Sequence, residues 1–379
     1  MEVLTRVLEK RLLKILTPNK VILLLGARRT GKTILLKKVI QSLKEPHLLL
    51  NGEDMSVQEI LARRTLANYQ KLLGKTRILI IDEAQKIPEI GQILKLMVDE
   101  IEGLKILVTG SSAFSISQET GEPLTGRKRT LHLYPITESE YDQIETPFQK
   151  QDQLRERLVF GNYPELLHLE NRKDKEEYLN EIVNSFLLKD VLAMESIRSP
   201  QKLINLLRLI AFQVGNEVSY DELGKQLSMS KNTVEKYLDL LSKVYVLHRI
   251  GGFSRNLRKE VTKSSKWYFW DMGLRNVIIA NMNPVTLRND IGQLWENYAI
   301  NERLKHQKYN RITVNNYFWR TYDQQEIDLV EERDGKLFGY EFKWNPRKKA
   351  KAPGAWSRNY SKAEFKVINP SNFFDWLEK

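Results

Sequence analysis

Short apolar runs alternate with longer amphipathic stretches through the first part of the chain. Between the runs, apolar residues recur at helical spacing, most clearly over residues 32–43, 57–73 and 87–100. Strands that alternate with helices in this way are typical of a parallel sheet with crossover helices. The pattern therefore predicts an α/β domain over residues 1–145. The expected strands lie near residues 20–25, 46–50, 77–82, 105–109 and 130–134.

The middle of the chain has a mainly helical pattern. The apolar spacing over residues 151–210 is helical, and residues 146–210 are predicted to form a helical linker or lid. Further on, Ser219-Tyr220-Asp221-Glu222 matches a capping box that would open a short helix. Ser230 can cap a second helix over residues 231–243 after a tight turn. Two helices joined by such a turn predict a helix-turn-helix.

A predicted hairpin follows the second of these helices. Strands are expected at residues 245–250 and 267–270, and the stretch between them is basic and includes Lys266. A helix-turn-helix followed by a hairpin predicts a winged helix over residues 211–285. Such a domain could contact a phosphate backbone without regard to sequence, or it could dock a protein.

The C-terminal part of the chain again contains strand patterns. Residues 326–330 and 337–344 predict a hairpin that carries acidic side chains. Glu341 and Lys343 have the i, i+2 spacing that places two side chains on one face of a strand. A separate α/β domain is predicted over residues 286–379.

Length, charge and cysteine content narrow the class of protein. The chain has 379 residues, more than one hydrophobic core usually organises, so several domains are expected. It contains no cysteine, which excludes disulfides and thiolate chemistry and favours a reducing cytoplasm. Its 60 basic and 48 acidic residues give a net charge of +12, which favours a polyanionic partner. No apolar run is long enough to cross a bilayer, so no membrane partner is expected.

A phosphate-binding motif directly follows the first predicted strand. Residues Gly26-Ala27-Arg28-Arg29-Thr30-Gly31-Lys32-Thr33 match the G-x-x-x-x-G-K-[ST] pattern. The two glycines let backbone N–H groups point at phosphate oxygens at the start of a helix. Lys32 would reach the β- and γ-phosphates, and the Thr33 hydroxyl would hold Mg²⁺. The motif predicts a nucleotide-binding site with ATP and Mg²⁺ as cofactors.

Two carboxylates end the third predicted strand. Asp82 would bind Mg²⁺, and Glu83 would be the general base that activates the attacking water. After the fourth strand, Ser111 or Ser112 could contact the γ-phosphate, as polar residues at this place do in AAA-type ATPases, which this half of the chain resembles. These residues extend the prediction from ATP binding to ATP hydrolysis.

Several arginines could stabilise the charge of the transition state. Arg127 follows a glycine just before the fifth strand, and it is a candidate arginine finger or sensor. Action on the nucleotide of a neighbouring subunit would require a homo-oligomer. Arg28 and Arg29 inside the phosphate loop are alternatives, and both could instead face the solvent.

The predicted C-terminal hairpin carries acids and a lysine that together could support metal-dependent phosphodiester hydrolysis. Asp328 on one strand and Glu341 with Lys343 on the other resemble the D…E-x-K signature of the restriction-endonuclease-like fold. The resemblance implies that Glu296, Asp328 and Glu341 are metal ligands and that Lys343 is the catalytic lysine of a nuclease. Acids on hairpins are common, so a domain that binds without cutting remains the alternative.

The order of these features resembles one family over nearly the whole chain, namely prokaryotic ATPases whose C-terminal half carries a domain of unknown function. The resemblance implies an AAA-type P-loop NTPase fold and brings no known substrate with it. The features that carry it, besides the phosphate loop, the winged helix and the C-terminal acids, are Asp82-Glu83-Ala84-Gln85, Gly110-Ser111-Ser112, Leu124-Thr125-Gly126-Arg127 and Gly161-Asn162-Tyr163-Pro164-Glu165.

Two functions are consistent with the sequence. In the first, an AAA-type ATPase acts on or with nucleic acid, DNA in preference to RNA, and its C-terminal domain is a nuclease or a binding platform. In the second, a nucleotide-controlled signalling ATPase uses its winged helix and C-terminal domain to bind protein and does not cut. A small-molecule kinase is disfavoured because the sequence shows no motif for an acceptor pocket.

Overall fold

A computed structural model of the chain describes residues 4–111, 124–187, 191, 199–254 and 265–378. These residues form two compact units. The first unit contains the described residues up to Ile136 together with Lys243–Tyr245, and the second contains the other described residues. Each unit has its own β-sheet.

The first unit is built on a parallel five-stranded sheet. Its strands are β1 (Val21–Leu25), β2 (His47–Asn51), β3 (Ile78–Asp82), β4 (Lys105–Gly110) and β5 (Lys128–His132). Their order across the sheet is β2-β3-β4-β1-β5, and every neighbouring pair is parallel. Strand β1 and all but the last residue of β3 are buried aliphatic runs, as expected for strands covered on both faces. The α/β fold class predicted for this part of the chain is confirmed.

The helices of the first unit differ from the prediction in one place. The single helix predicted over residues 57–73 is two helices. The Thr65 side chain accepts the backbone N–H of Asn68 at 3.3 Å, and so it caps a new helix. The helices are α1 (Leu8–Ile15), α2 (Lys32–Gln41), α3 (Met55–Ala62), α4 (Leu66–Leu73) and α5 (Ile90–Glu100).

The second unit contains the helices of the middle and C-terminal parts of the chain. They are α6 (Glu138–Tyr141), α7 (Pro147–Phe160), α8 (Arg172–Glu181), α9 (Pro200–Phe212), α10 (Tyr220–Leu227), α11 (Lys231–Lys243), α12 (Met272–Ile278), α13 (Ile291–Asn310), α14 (Gly354–Asn359) and α15 (Phe373–Leu377). The Ser219 side chain caps α10, and Ser230 Oγ accepts the backbone N–H of Thr233 at the start of α11. In the described parts of the chain, no helix is both long and apolar enough to cross a membrane.

A mixed seven-stranded sheet organises the second unit. Its strands are β6 (Glu217–Val218), β7 (Leu247–Gly252), β8 (Ser265–Phe269), β9 (Asn315–Arg320), β10 (Glu326–Arg333), β11 (Lys336–Phe342) and β12 (Glu364–Ile368). The order is β12-β11-β10-β9-β7-β8-β6. Strands β7 and β8 pair antiparallel, whereas β7 and β9 pair parallel through Gly251 and Tyr317. The sheet therefore runs across the domain boundary expected between residues 285 and 286.

Buried ion pairs connect α6, α7 and α13 in the second unit. Arg157 Nη2 lies 3.1 Å from Glu138 Oε2, and Arg157 Nη1 lies 2.8 Å from Glu145 Oε1. The Glu302 carboxylate on α13 accepts the backbone N–H of Glu138 at 2.9 Å. Burial raises the pKa of Glu138 to about 7, although the charge of Arg157 opposes this shift. Removing one partner from such a network would leave a buried charge uncompensated.

Candidate functional site

Two glycines of the phosphate loop occupy positions that a larger residue would strain. The loop leaves β1 after Leu25 and enters α2 at Lys32. Gly31 has φ of 93°, in the left-handed region that favours glycine. A Cβ added at Gly26 would lie 2.3 Å from Leu133 O, a backbone atom that cannot easily move away. Both glycines of the motif are therefore needed for the fold of the loop itself.

Lys32 is held inside the loop by the loop's own carbonyl groups. Its side chain is buried, and Nζ donates to Gly26 O at 3.0 Å and to Ala27 O at 2.9 Å. The Thr30 hydroxyl donates to the same Ala27 O at 2.9 Å. The buried Arg6 guanidinium donates to Thr30 O at 2.7 Å. Hydrogen bonds from Lys32, Thr30 and Arg6 to carbonyl groups of the loop thus stabilise its conformation through protein contacts alone.

Three side chains connect the loop to the ends of β3 and β4. Thr33 Oγ1 donates to Asp82 Oδ2 at 2.9 Å. Thr109 Oγ1 donates to the other carboxylate oxygen, Asp82 Oδ1. Because β4 lies between β1 and β3 in the sheet, Thr109 at its carboxyl end lies beside both. The structure therefore brings together Thr33 and Asp82, the two residues predicted to hold Mg²⁺.

Glu83 has a left-handed backbone conformation at the tip of β3, with φ of 50°. Its N–H donates to Thr109 Oγ1 at 3.1 Å and to Asp82 Oδ1 at 3.2 Å. Gln85 Nε2 donates to Glu83 Oε2 at 2.5 Å and to Ser111 Oγ at 3.0 Å. The predicted base and the predicted phosphate sensor are therefore bridged by one amide.

Sequence reasoning missed Thr109 and Gln85 as functional residues. Thr109 stands in the same short run as Ser111, and its place at a strand end was the available signal. Gln85 is the last residue of the Asp82-Glu83-Ala84-Gln85 motif, but the motif alone does not show which side chain its amide reaches. Ser112, the alternative sensor, lies outside the described residues.

The structure does not bring Arg127 to the phosphate loop of its own chain. Arg127 precedes β5, and its carbonyl accepts the Val21 backbone N–H at 2.8 Å at the amino end of β1. The phosphate loop leaves the opposite end of β1, about 13 Å away along the strand. The Arg127 side chain pairs with Asp99, with 2.5 Å between Nε and Oδ1. In this arrangement the Arg127 side chain contacts Asp99 and not the phosphate loop of its own chain.

Arg28 and Arg29 remain close to the nucleotide site. Arg28 is half-buried, and Arg29 is exposed with φ of 64°. Their positions within the loop keep both near any phosphate that it would bind.

A second group of charged side chains lies in the second unit and is called the acid–lysine cluster below. Its members are Lys266, Glu296, Glu326, Asp328, Glu341 and Lys343. Glu296 Oε1 accepts the Tyr268 hydroxyl at 2.7 Å. Asp328 Oδ2 accepts the backbone N–H of Phe342 at 2.8 Å. The three acids predicted as metal ligands therefore lie in one electrostatic neighbourhood.

Burial and mutual repulsion perturb these acids. Burial raises the pKa of Asp328 well above its usual range, and the charges of Glu296 and Glu341 add to the shift. Burial also raises the pKa of Glu296, against the opposing charge of Lys266. Burial opposes the charge of Lys343, but its hydrogen bond to Glu341 raises its pKa overall. Burial in the cluster thus disfavours the charged forms of Asp328 and Glu296.

The acids of this cluster do not form the ligand set that the sequence predicts. Among the described residues, no three acidic or histidine side chains converge closely enough to hold a metal ion. Lys266, expected on an exposed basic wing, is instead 1% exposed and lies between Glu296 and Glu326. The geometry therefore does not fit the metal site predicted from Glu296, Asp328 and Glu341. The physical reason is that Lys266 and Lys343 already contact Glu296 and Glu341, while Asp328 accepts a backbone N–H.

Family models match three successive parts of the chain. Residues 18–142 match an AAA domain. Residues 151–285 match the domain of unknown function DUF8612, and residues 291–373 match the domain of unknown function DUF4143. The parallel sheet and the phosphate loop agree with the first of these matches, so the first unit has a P-loop fold and is similar to AAA domains. The other two matches carry no activity with them.

Relatives are similar to the chain over most of its length. It is 27% identical over 338 residues to the uncharacterized protein Rv2008c of Mycobacterium tuberculosis. The aligned region covers 88% of this chain and 72% of that protein. It is 24% identical over 335 residues to the uncharacterized protein MJ1544 of Methanocaldococcus jannaschii, with coverage of 83% and 73%. The solved Walker-type ATPase PABY2304 of Pyrococcus abyssi is 17% identical with a TM-score of 0.47, and covers 73% of this chain and 96% of that one.

Proposed function

We propose that the first unit binds ATP together with Mg²⁺ and hydrolyses it. The observation that carries this proposal is the 2.9 Å hydrogen bond between Thr33 Oγ1 and Asp82 Oδ2, which joins the phosphate loop to the end of β3. A loop hydroxyl and a strand-end carboxylate are the protein groups that hold Mg²⁺ in P-loop NTPases. When bound, Mg²⁺ would neutralise the charge that develops on the phosphate oxygens.

Each side chain of the site would have a separate role in hydrolysis. Lys32 would exchange its contacts with loop carbonyls for phosphate oxygens, because an ammonium group bonds more strongly to an anion. Glu83 would accept a proton from the attacking water. The Ser111 hydroxyl would donate a hydrogen bond to the γ-phosphate, while its oxygen accepts a hydrogen bond from the Gln85 amide. Through these two contacts Gln85 would orient the carboxylate of Glu83 toward the phosphate.

Substitutions of Lys32 and Glu83 test the proposal. Lys32→Ala should abolish binding of a fluorescent ATP analogue, because the loop loses its charged donor. Glu83→Gln should retain binding and lower ATP turnover about 10²–10⁴-fold. Lys37→Ala changes an exposed lysine of the same helix and should leave both unchanged. Wild-type turnover in Lys32→Ala would refute the loop assignment, and undiminished hydrolysis in Glu83→Gln would remove Glu83 as the base.

We further propose that Arg127 acts on the nucleotide of a neighbouring copy. Arg127 lies at the amino end of β1, away from the phosphate loop of its own chain, so it could meet a γ-phosphate only on another copy. There it would exchange its contact with Asp99 for a phosphate oxygen. Turnover per subunit should then rise with protein concentration, and Arg127→Ala should remove that rise. Turnover that depends neither on concentration nor on Arg127 would contradict a homo-oligomeric ATPase.

Nucleic-acid binding is the second candidate function, with DNA favoured over RNA. The observation that favours it is the amphipathic character of α11, the second helix of the predicted winged helix. Val234 and Leu238 are buried, while Lys231, Asn232 and Lys236 are exposed. The exposed side of α11 also carries Glu235 and Asp239, so the contribution to phosphate binding would come from the individual lysines. Such contacts would be independent of base sequence. The predicted wing comprises strands at residues 245–250 and 267–270 and the basic stretch between them, and residues 255–264 of that stretch lie outside the described residues.

A salt titration distinguishes this function from protein docking. Full-length protein should bind a fluorescent DNA duplex at low salt. The double variant Lys231→Ala/Lys236→Ala should reduce the slope of log affinity against log salt by about 1.8, since each lost phosphate contact contributes about 0.9. Lys71→Ala/Lys75→Ala removes two exposed lysines of the first unit and is the charge-matched control. No affinity for duplex, single strand or RNA at low salt would favour the alternative, a nucleotide-controlled ATPase that docks protein.

A further inference from the structure

The Lys266 side chain on β8 contacts two carboxylates of the acid–lysine cluster. Nζ donates a hydrogen bond to Glu326 Oε1 and lies 3.6 Å from Glu296 Oε1. The side chain is almost fully buried, so no water shell replaces these contacts. A buried ammonium group is retained only where nearby carboxylates compensate the loss of hydration. Lys266 and these acids therefore depend on each other.

The other carboxylates of the cluster also have protein partners. Glu341 Oε1 accepts from Lys343 Nζ at 2.6 Å. Asp328 Oδ2 accepts a backbone N–H from the neighbouring strand β11. The Arg320 guanidinium lies 3.6 Å from Glu326 Oε2. Three of the four carboxylates thus contact a cation of the chain. A divalent ion that bound Glu296 or Glu341 would have to displace a lysine.

We propose that the Lys266 ammonium occupies the place that a divalent cation would need in the acid–lysine cluster, so that this cluster works without metal. The cluster then joins α13 to the strands β8, β10 and β11 through lysine–carboxylate contacts within the protein. The second unit would then have no metal-dependent nuclease activity and would act by binding, not by cutting. This inference does not rest on the ATPase function of the first unit.

Binding of Mn²⁺ to the full-length protein without nucleotide tests the proposal. Free Mn²⁺ is measured by electron paramagnetic resonance during a titration. Asp328→Asn should change the Mn²⁺ affinity of the wild-type protein less than twofold, because no metal is bound there. Asp82→Asn serves as the control that reports binding at the nucleotide site. A wild-type Mn²⁺ site that disappears in Asp328→Asn and persists in Asp82→Asn would overturn the proposal.

Removing the lysine provides the complementary measurement. Lys266→Met keeps the length of the side chain and leaves the carboxylates with excess negative charge. This variant should gain Mn²⁺ affinity at least about tenfold above that of the wild-type protein, and Lys266→Met/Asp328→Asn should lose the gain. A folded Lys266→Met protein with unchanged Mn²⁺ affinity would contradict the exchange of lysine for metal. If Lys266→Met does not fold, the comparison of wild type with Asp328→Asn still decides the question.

Discussion

Replacing Thr109 with valine removes one hydroxyl group from the nucleotide site and changes the side-chain shape very little. Thr109 is completely buried at the end of β4. Its Oγ1 donates to Asp82 Oδ1 and accepts the Glu83 backbone N–H at 3.1 Å. After the substitution, Asp82 keeps its contacts with Thr33 at 2.9 Å and with the Glu83 N–H at 3.2 Å. The change therefore weakens the hold on one carboxylate without leaving a buried N–H unpaired.

The cost in stability follows from these contacts. A hydrogen bond to a charged group contributes about 1.5–3 kcal/mol, and burial of the added methyl group returns about 0.8 kcal/mol. We expect Thr109→Val to lower the free energy of unfolding by about 1–2 kcal/mol. In a domain of this size the midpoint of thermal unfolding should fall by roughly 2–8 °C.

The effect on function should be larger than the effect on stability. Asp82 is a predicted Mg²⁺ ligand, and loss of a group that orients a ligand typically lowers metal affinity about 10–100-fold. The Mg²⁺ concentration needed for half-maximal binding of a fluorescent ATP analogue should therefore rise at least about tenfold in Thr109→Val. Binding at saturating Mg²⁺ should be retained, because Lys32 and the loop are unchanged.

The assay is a Mg²⁺ titration of analogue binding, combined with thermal unfolding of the same samples. Thr130→Val on β5 is the matched control, because Thr130 is exposed and should tolerate the same change within about 0.5 kcal/mol. An unchanged Mg²⁺ requirement together with a clear loss of stability would refute the reasoning. It would mean that Thr109 is a structural residue and that Asp82 does not hold the metal.

Three further changes test other contacts. In a steady-state ATP titration, Gln85→Ala should lower the turnover number about 10–100-fold at an unchanged Michaelis constant, because the Glu83 carboxylate loses the contact that orients it. A turnover number equal to that of the wild type would contradict this role. Gly26→Ala should abolish binding of the ATP analogue, since its Cβ would lie 2.3 Å from Leu133 O, and normal binding would disprove the close approach. The raised pKa of Glu138 means that its contribution to the free energy of unfolding falls as pH rises from 4.5 to about 7. Glu138→Gln should reduce this pH dependence in urea unfolding, and an unaltered slope would argue against the shift.

The phosphate-loop site was predictable because its signals are local. The motif occupies consecutive residues, and the strands around it are buried aliphatic runs that periodicity identifies directly. The helix break at Thr65 was not predicted, because apolar residues continue at helical spacing on both sides of the cap. Gln85 could not be assigned either, since its contact with Ser111 joins the ends of two different strands. Local pattern identifies the elements, but it does not show which side chains meet where strands end.

The second unit shows this limit more strongly. Lys266 belongs by sequence to a basic stretch between two strands, and a basic stretch is usually solvated. Its partner Glu326 is 60 residues away along the chain. Only the pairing of β7 with β9, a parallel contact between distant segments, brings β8 and β10 into the same sheet. The sequence pattern therefore placed the acids correctly on their strands and misjudged the lysine that lies among them.

The two sites differ in the kind of donor that contacts their acids, and this difference separates their functions. In the described part of the chain, the Asp82 carboxylate is contacted by two hydroxyl groups and a backbone N–H, all neutral. Neutral donors orient a carboxylate and leave its charge available to a cation. In the acid–lysine cluster, cationic donors contact the acids: Lys266 contacts Glu296 and Glu326, and Lys343 contacts Glu341. Because a divalent ion gains most where negative charge is uncompensated, we expect Mg²⁺ at the first site and not at the second.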